Sequence, residues 1–137
     1  VITIHGGGQY RTNVHVNDAA ALYRFLLEAP RGIINGRAFN LAAEYHMALE
    51  LGEEVQRVVT SEQVRAPRLY QDRSKTDSRS YRMDGSRLAL ELAWIPGRTI
   101  ADAMRGNIAG FRDGNIKDWK DSLYYNTRRM EAVMKGA

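Results

Sequence analysis

Cysteine is absent from the 137 residues. That absence excludes disulfides, thiolate metal sites and cysteine nucleophiles, and it fits a cytoplasmic setting. Long apolar runs are absent as well: none approaches the ~18 residues that would cross a bilayer, and the opening carries no basic-then-apolar signal pattern. A soluble protein with no membrane partner is expected. Histidine is scarce. His5, His15 and His46 show no i,i+4 spacing and no matching carboxylates, so a metal site is not expected. No serine sits in a Gly-x-Ser-x-Gly elbow. The acids Glu53, Glu54, Asp113 and Asp118 read as solvated helix and turn faces rather than a catalytic pair.

What is present describes an ordinary globular chain, 44% hydrophobic and 26% charged. Its length suits one domain over residues 1–137, with a core of its own. The net charge of +4 raises the question of nucleic acid. The arginines, from Arg11 to Arg87, are scattered among acids and form no basic helix, so no nucleic-acid partner is expected. Arginine outweighs lysine, which suits planar, bidentate recognition of phosphate or carboxylate in a small ligand.

Val1 to His5 alternates β-branched residues and reads as a strand already under way, as though the chain began within a longer protein. Gly6-Gly7-Gly8 supplies a turn, and Tyr10 to Val16 alternates again, so the first 16 residues read as a hairpin. Asn17-Asp18 caps a helix with Leu22, Phe25, Leu26 and Ala29 on its apolar face, closed by Pro30 and Gly32. After a turn at Asn35-Gly36, the bounded run Ala38 to Ala42 has the look of a buried strand. A second helix is predicted over 46–58, with Met47, Leu51, Val55 and Val58 in one stripe and Gly52 tolerated at some cost. Residues 60–80 are polar and aperiodic, which predicts a long ligand loop.

Tyr81-Arg82-Met83 suggests a short strand, and Asp84 caps a helix over 86–92 that Trp94 to Gly97 terminates. Thr99 and Asp102 form a near capping box for a helix buried through Ile100, Met104, Ile108 and Phe111. The tail carries Trp119, Tyr124 and Tyr125, then a short amphipathic helix with Met130, Val133 and Met134. The sum is an α/β chain: a small mixed domain of short strands and about five helices.

Three strings in this order resemble the extended short-chain dehydrogenases/reductases that act on nucleotide sugars. His5 to Asp18 resembles the family's glycine turn, Gln-x-Arg and (His/Tyr)-Val-x-Asp helix start. Ala38-Phe39-Asn40-Leu41 resembles its aromatic-Asn-(Leu/Ile) strand, and Tyr81 to Pro96 resembles its Asp-x-x-(Lys/Arg) to Leu-Gly-Trp-x-Pro segment. The turn is one residue shorter than the common form, Thr12 replaces a usual acid, and Ala93 replaces a usual glycine. No Gly-x-x-Gly-x-x-Gly stretch opens a helix, and no tyrosine is followed four residues later by lysine.

The resemblance implies the C-terminal, substrate-binding lobe of an NAD(P)-dependent nucleotide-sugar epimerase/dehydratase, not catalytic alone. NAD or NADP would be held by a Rossmann half that this stretch does not contain. Arg11 matches the arginine of Gln-x-Arg and is expected on the sugar-nucleotide diphosphate. Arg73 stands nearest the family's second arginine, with Arg79 the alternative under a shifted alignment. Asn40 lies near the substrate in the family, a structural hydrogen bond to backbone being the alternative. His5 falls near the position that contacts base or ribose, or is a plain strand-end histidine, and Tyr125 either closes over the nucleotide or packs in the core. An open apolar edge implies a homo-oligomer or assembly with the Rossmann half. The alternatives are a stand-alone nucleotide-sugar or anion-binding module and a protein-interaction domain derived from such a lobe.

Overall fold

The computed structural model describes residues 1–75 and 77–136; one position of the expected ligand loop, residue 76, lies outside the described residues. The chain is mixed α/β: β1 (Ile2–His5), β2 (Tyr10–Asn13), α1 (Val16–Glu28), α2 (Arg31–Ile34), β3 (Glu44–Met47), α3 (Ala48–Ser61), β4 (Leu69–Asp72), α4 (Ser86–Leu92), α5 (Ile100–Arg112) and α6 (Asn126–Lys135). It divides into two compact units, Val1–Gly106 and Asn107–Ala137. Each is described by itself.

In the first unit the expected hairpin is replaced by two separate sheets. β1 runs parallel to β4, with Ile2 opposite Leu69 and His5 opposite Asp72, while β2 runs antiparallel to β3. The glycine turn reverses the chain with Gly6 at φ 70 and Gly7 at φ 116, but it passes β2 to a different sheet from β1. Local alternation reports that a segment is extended; it does not report its partner.

The Ala38 to Ala42 run is not a strand. Ala38 O accepts from the Arg87 guanidinium at 2.8 Å and Asn40 Nδ2 donates to the backbone Asp84 O at 3.2 Å; only after the run does the backbone meet β2, where Ala43 N–H donates to Asn13 O at 3.1 Å. The strand comes immediately afterwards, at β3, so His46 and Met47 belong to it and not to the helix. The polar stretch 60–80 is likewise interrupted by β4, whose short Leu-Tyr-Gln-Asp sequence carries little strand signal. Tyr81 to Met83 is extended beside β2 without forming a ladder. Its links to β2 are Tyr81 N–H to Tyr10 O at 3.3 Å and Met83 N–H to Thr12 Oγ1 at 2.9 Å, and just before it Tyr10 N–H donates to Ser80 Oγ at 3.0 Å. A sixth helix, α2, occupies the place read as the end of α1 and a turn.

The helix caps are mostly local, with two exchanges. α1 begins at Val16, with His15 as its cap accepting from Asn17 N–H at 3.0 Å; Asp18 is buried and serves elsewhere. Asp84 accepts from Ser86 N–H at 2.8 Å, but the cap position of α4 is Gly85 and not Asp84; the helix closes at Ala93 in the left-handed region, φ 51. Thr99 and Asp102 exchange hydrogen bonds at the start of α5, making a full reciprocal box.

Leu22 of α1 and Leu88 and Leu92 of α4 form the main core, surrounded by Phe25, Leu26, Ile34, Phe39, Leu41 and Trp94. Burial of each leucine contributes about 2 kcal/mol. Ile4 of β1 and Val58 of α3 are also buried. Gly52 makes the close approach of α3 to β1 possible, because a Cβ there would lie 2.4 Å from Ile4 Cδ1.

In the second unit the chain turns at Gly114, φ 70, and Ile116 N–H donates to Gly110 O at 3.0 Å. A 3-10 turn at Ser122–Tyr124 leads into α6. Phe111 is exposed rather than buried, as are Trp119, Met130, Val133 and Met134.

Candidate functional site

The glycine turn is built by the side chain that follows it. Gln9 accepts from Gly7 N–H at 2.8 Å and donates to His5 O at 2.8 Å, so one amide spans the bend. The turn in turn satisfies the amides of α3, which have no partner within the helix: Ala48 N–H donates to Gln9 O and Leu49 N–H to Gly7 O, each at 3.0 Å. β1, the turn and the start of α3 thus form one framework.

A cavity of ≈ 630 Å³ lies at the carboxyl ends of the parallel strands β1 and β4 and reaches back along β1 to Thr3 and Ile4. It is lined on one side by His5, Gln9 and Ala48, and on the other by Lys75, Asp77 and Arg79. Clefts past the carboxyl ends of parallel strands are where open α/β sheets bind ligands, since the loops there converge without secondary-structure obligations.

Asp77 organises the charges. Arg79 donates to it through Nε at 2.8 Å, Nη2 at 3.0 Å and its backbone N–H at 3.1 Å, and Arg11 donates through Nη2 at 2.7 Å. One carboxylate therefore serves two guanidiniums. The Arg79 guanidinium first, then the Arg79 backbone N–H, hold the Asp77 carboxyl down at about 2; the charges of Arg79 and Arg11 add to them against slight burial. Arg11 is half-buried. It also donates to Tyr10 O at 2.9 Å and to Arg79 O, and lies 5.3 Å from the centroid of the Tyr81 ring. On the opposite wall, His5 Nδ1 lies 3.7 Å from Asp72. The Ser74 hydroxyl lowers the Asp72 carboxyl most, joined by the Ser74 N–H and the charge of His5.

The sequence-derived candidates thus separate. His5 and Arg79 share the cavity, and Arg11 joins it through Asp77. Arg73 is exposed, its Nε donating to Gln71 Oε1 at 3.3 Å, and is not among the lining residues, whereas Arg79 and Arg11 meet on Asp77. Asn40 is exposed and makes the backbone hydrogen bond of its alternative reading, to Asp84 O. Tyr125 lies in the second unit, 4.3 Å from the Arg128 guanidinium carbon. Sequence reasoning assigned no role to Lys75, Asp77 or Gln9. The Asp-x-Arg spacing of Asp77 and Arg79 is the signal that points to Asp77.

The glycine turn does not fit a dinucleotide. It leads into β2, where no helix N-terminus follows to meet a pyrophosphate, and the space a Gly7 Cβ would need is filled by Gln71 Nε2, 2.8 Å away. Among the described residues no group of three or more His, Asp or Glu is placed to hold a metal ion, and no helix is long and apolar enough to cross a membrane. No protein-family model matches the chain, and no curated protein matches it.

Proposed function

We propose that this chain is the substrate-binding lobe of an NAD(P)-dependent nucleotide-sugar epimerase/dehydratase, and that its cavity receives the diphosphate of a nucleotide sugar. One observation carries the reading. His5, Lys75 and Arg79 line a single cavity, and a second guanidinium, Arg11, reaches the same carboxylate as Arg79. Two planar, permanently charged forks converging on one point suit an anion with several acceptor oxygens better than a lone carboxylate. Lys75 adds a point charge, and His5 with Gln9 offers polar edges for the ribose or sugar. Nicotinamide chemistry would come from a Rossmann half, which would present the cofactor to the sugar held here.

The test is calorimetric titration with a panel of nucleoside diphosphate sugars, with the matching nucleosides as controls. Saturable binding of the diphosphates, weakened tenfold or more by Arg79→Ala and by Arg11→Ala and unchanged by Arg73→Ala, is the expected result. Equal affinity for nucleosides, or no saturation at millimolar ligand, would overturn the reading.

A further inference from the structure

We infer that Asp77 is an internal stand-in for the ligand anion, and that it sets the charge a ligand must carry to enter the cavity. The inference rests on the diphosphate reading above and concerns how that site is controlled. Asp77 lines the cavity, and its carboxylate takes donors from Arg11 Nη2, Arg79 Nε, Arg79 Nη2 and the Arg79 backbone. These are the donors an incoming phosphate oxygen would use. A ligand can take these same N–H groups only if the Asp77 side chain rotates away from them.

The exchange is feasible because the parties differ in constraint. The Arg79 side chain is 80% exposed, so its guanidinium is free to follow a new acceptor, whereas Arg11 is 23% exposed and tied to two backbone carbonyls. Arg11 is the fixed post and Arg79 the adjustable one. A monoanion offers no more than the carboxylate already in place. A diphosphate offers more charge and more acceptor oxygens, and so displaces it. Asp77 therefore acts as a threshold that favours diphosphates over singly charged competitors, and its own charge repels an anion until the exchange is complete.

The experiment titrates the wild-type chain, Asp77→Asn and Asp77→Ser with inorganic pyrophosphate and with inorganic phosphate, at a pH well below the second ionisation of phosphate so that phosphate is the singly charged probe. Asp72→Asn serves as a control: it removes the same charge from the His5 wall without touching either arginine. The stand-in role predicts that both Asp77 variants bind pyrophosphate at least tenfold more tightly than wild type, gain proportionately more for phosphate, and leave Asp72→Asn within threefold of wild type. If wild type binds pyrophosphate but the Asp77 variants bind equally or more weakly, the stand-in role falls and the diphosphate site survives. An equal gain in Asp72→Asn also overturns it, because a general field effect then explains the change. If no protein binds pyrophosphate, the diphosphate reading and this inference fail together. Thermal unfolding checks each variant, and loss of fold in both Asp77 variants would assign the residue to the framework and reject the inference.

Discussion

Asp18, 2% exposed near the start of α1, accepts hydrogen bonds from the backbone N–H of Arg98 at 2.8 Å and of Gly97 at 3.1 Å, and is paired with the Arg98 guanidinium. A residue read as a local helix cap instead joins α1 to the turn between α4 and α5. Burial pushes its carboxyl up, but the Arg98 N–H, the Arg98 guanidinium and charge, and the Gly97 N–H together hold it below the usual value. Asp18→Ala would leave two backbone donors without their acceptor. The expected loss is about 2–4 kcal/mol in urea unfolding, with Asp18→Asn losing less. Because the folded carboxyl titrates below its unfolded value of about 3.9, the Asp18 contribution is complete above that pH and fades as pH falls through the folded value. The stability gap between wild type and Asp18→Ala should therefore narrow below about pH 4. A gap that is constant with pH would show that the charge is not what matters.

Gly52 and Ile4 are complementary in the same structural sense. Alanine at position 52 improves helix propensity by about 1 kcal/mol, but its Cβ would lie 2.4 Å from Ile4 Cδ1 in a buried contact, a clash that costs about 1–3 kcal/mol. A net loss is expected for Gly52→Ala. Ile4→Val removes the clashing methyl, so the double variant should be more stable than the two single losses sum to, by about 1 kcal/mol in a double-mutant cycle. Additivity would show that α3 shifts to accommodate the methyl.

These two contacts also mark where sequence reading stops. The reciprocal box at Thr99 and Asp102, the Asp84 hydrogen bond at the start of α4 and the apolar face of α1 rest on residues a few positions apart, and each was legible. The parallel pairing of β1 with β4 joins segments far apart in the chain, and β4 has neither alternation nor β-branched residues to announce it. Ala38 to Ala42 misled for the opposite reason: it is apolar and bounded like a strand, yet among the described residues it pairs with no strand, Ala38 O accepting from the Arg87 guanidinium and the Asn40 amide donating to Asp84 O. The site followed the same division. Arg11 and Arg79 lie far apart in sequence, and that both reach the one carboxylate of Asp77 is visible only in the folded chain.

Ala93 ends α4 with φ 51, a conformation that costs a residue bearing a Cβ roughly 1–2 kcal/mol and costs glycine almost nothing. Its amide donates to Ala89 O at 3.1 Å, so the cap itself is well formed and only the side chain is unfavourable. Ala93→Gly should raise stability by about 1 kcal/mol after the added unfolded-state entropy of glycine is deducted, a rise in Tm of roughly 3–5 °C by calorimetry. A fall in Tm would mean that the methyl makes contacts worth more than the strain.

Asp77 provides the electrostatic test of the cavity. With its carboxyl held at about 2, below the unfolded value of about 3.9, the contacts of Asp77 with Arg79 and Arg11 are complete above pH 4 and are lost only as pH falls through about 2. The carboxyl carbon resonance, followed by NMR from pH 6 to pH 1.5, should report this midpoint directly. Arg79 supplies the leading hydrogen bonds and Arg11 chiefly its charge, so Arg79→Gln should raise the midpoint further toward the ordinary carboxylate value than Arg11→Gln does. Saturating pyrophosphate should raise it too, because a carboxylate displaced from both guanidiniums loses the donors that held its proton off. A midpoint that moves with Arg79→Gln but not with pyrophosphate would place the ligand elsewhere and leave Asp77 as a brace of the loop.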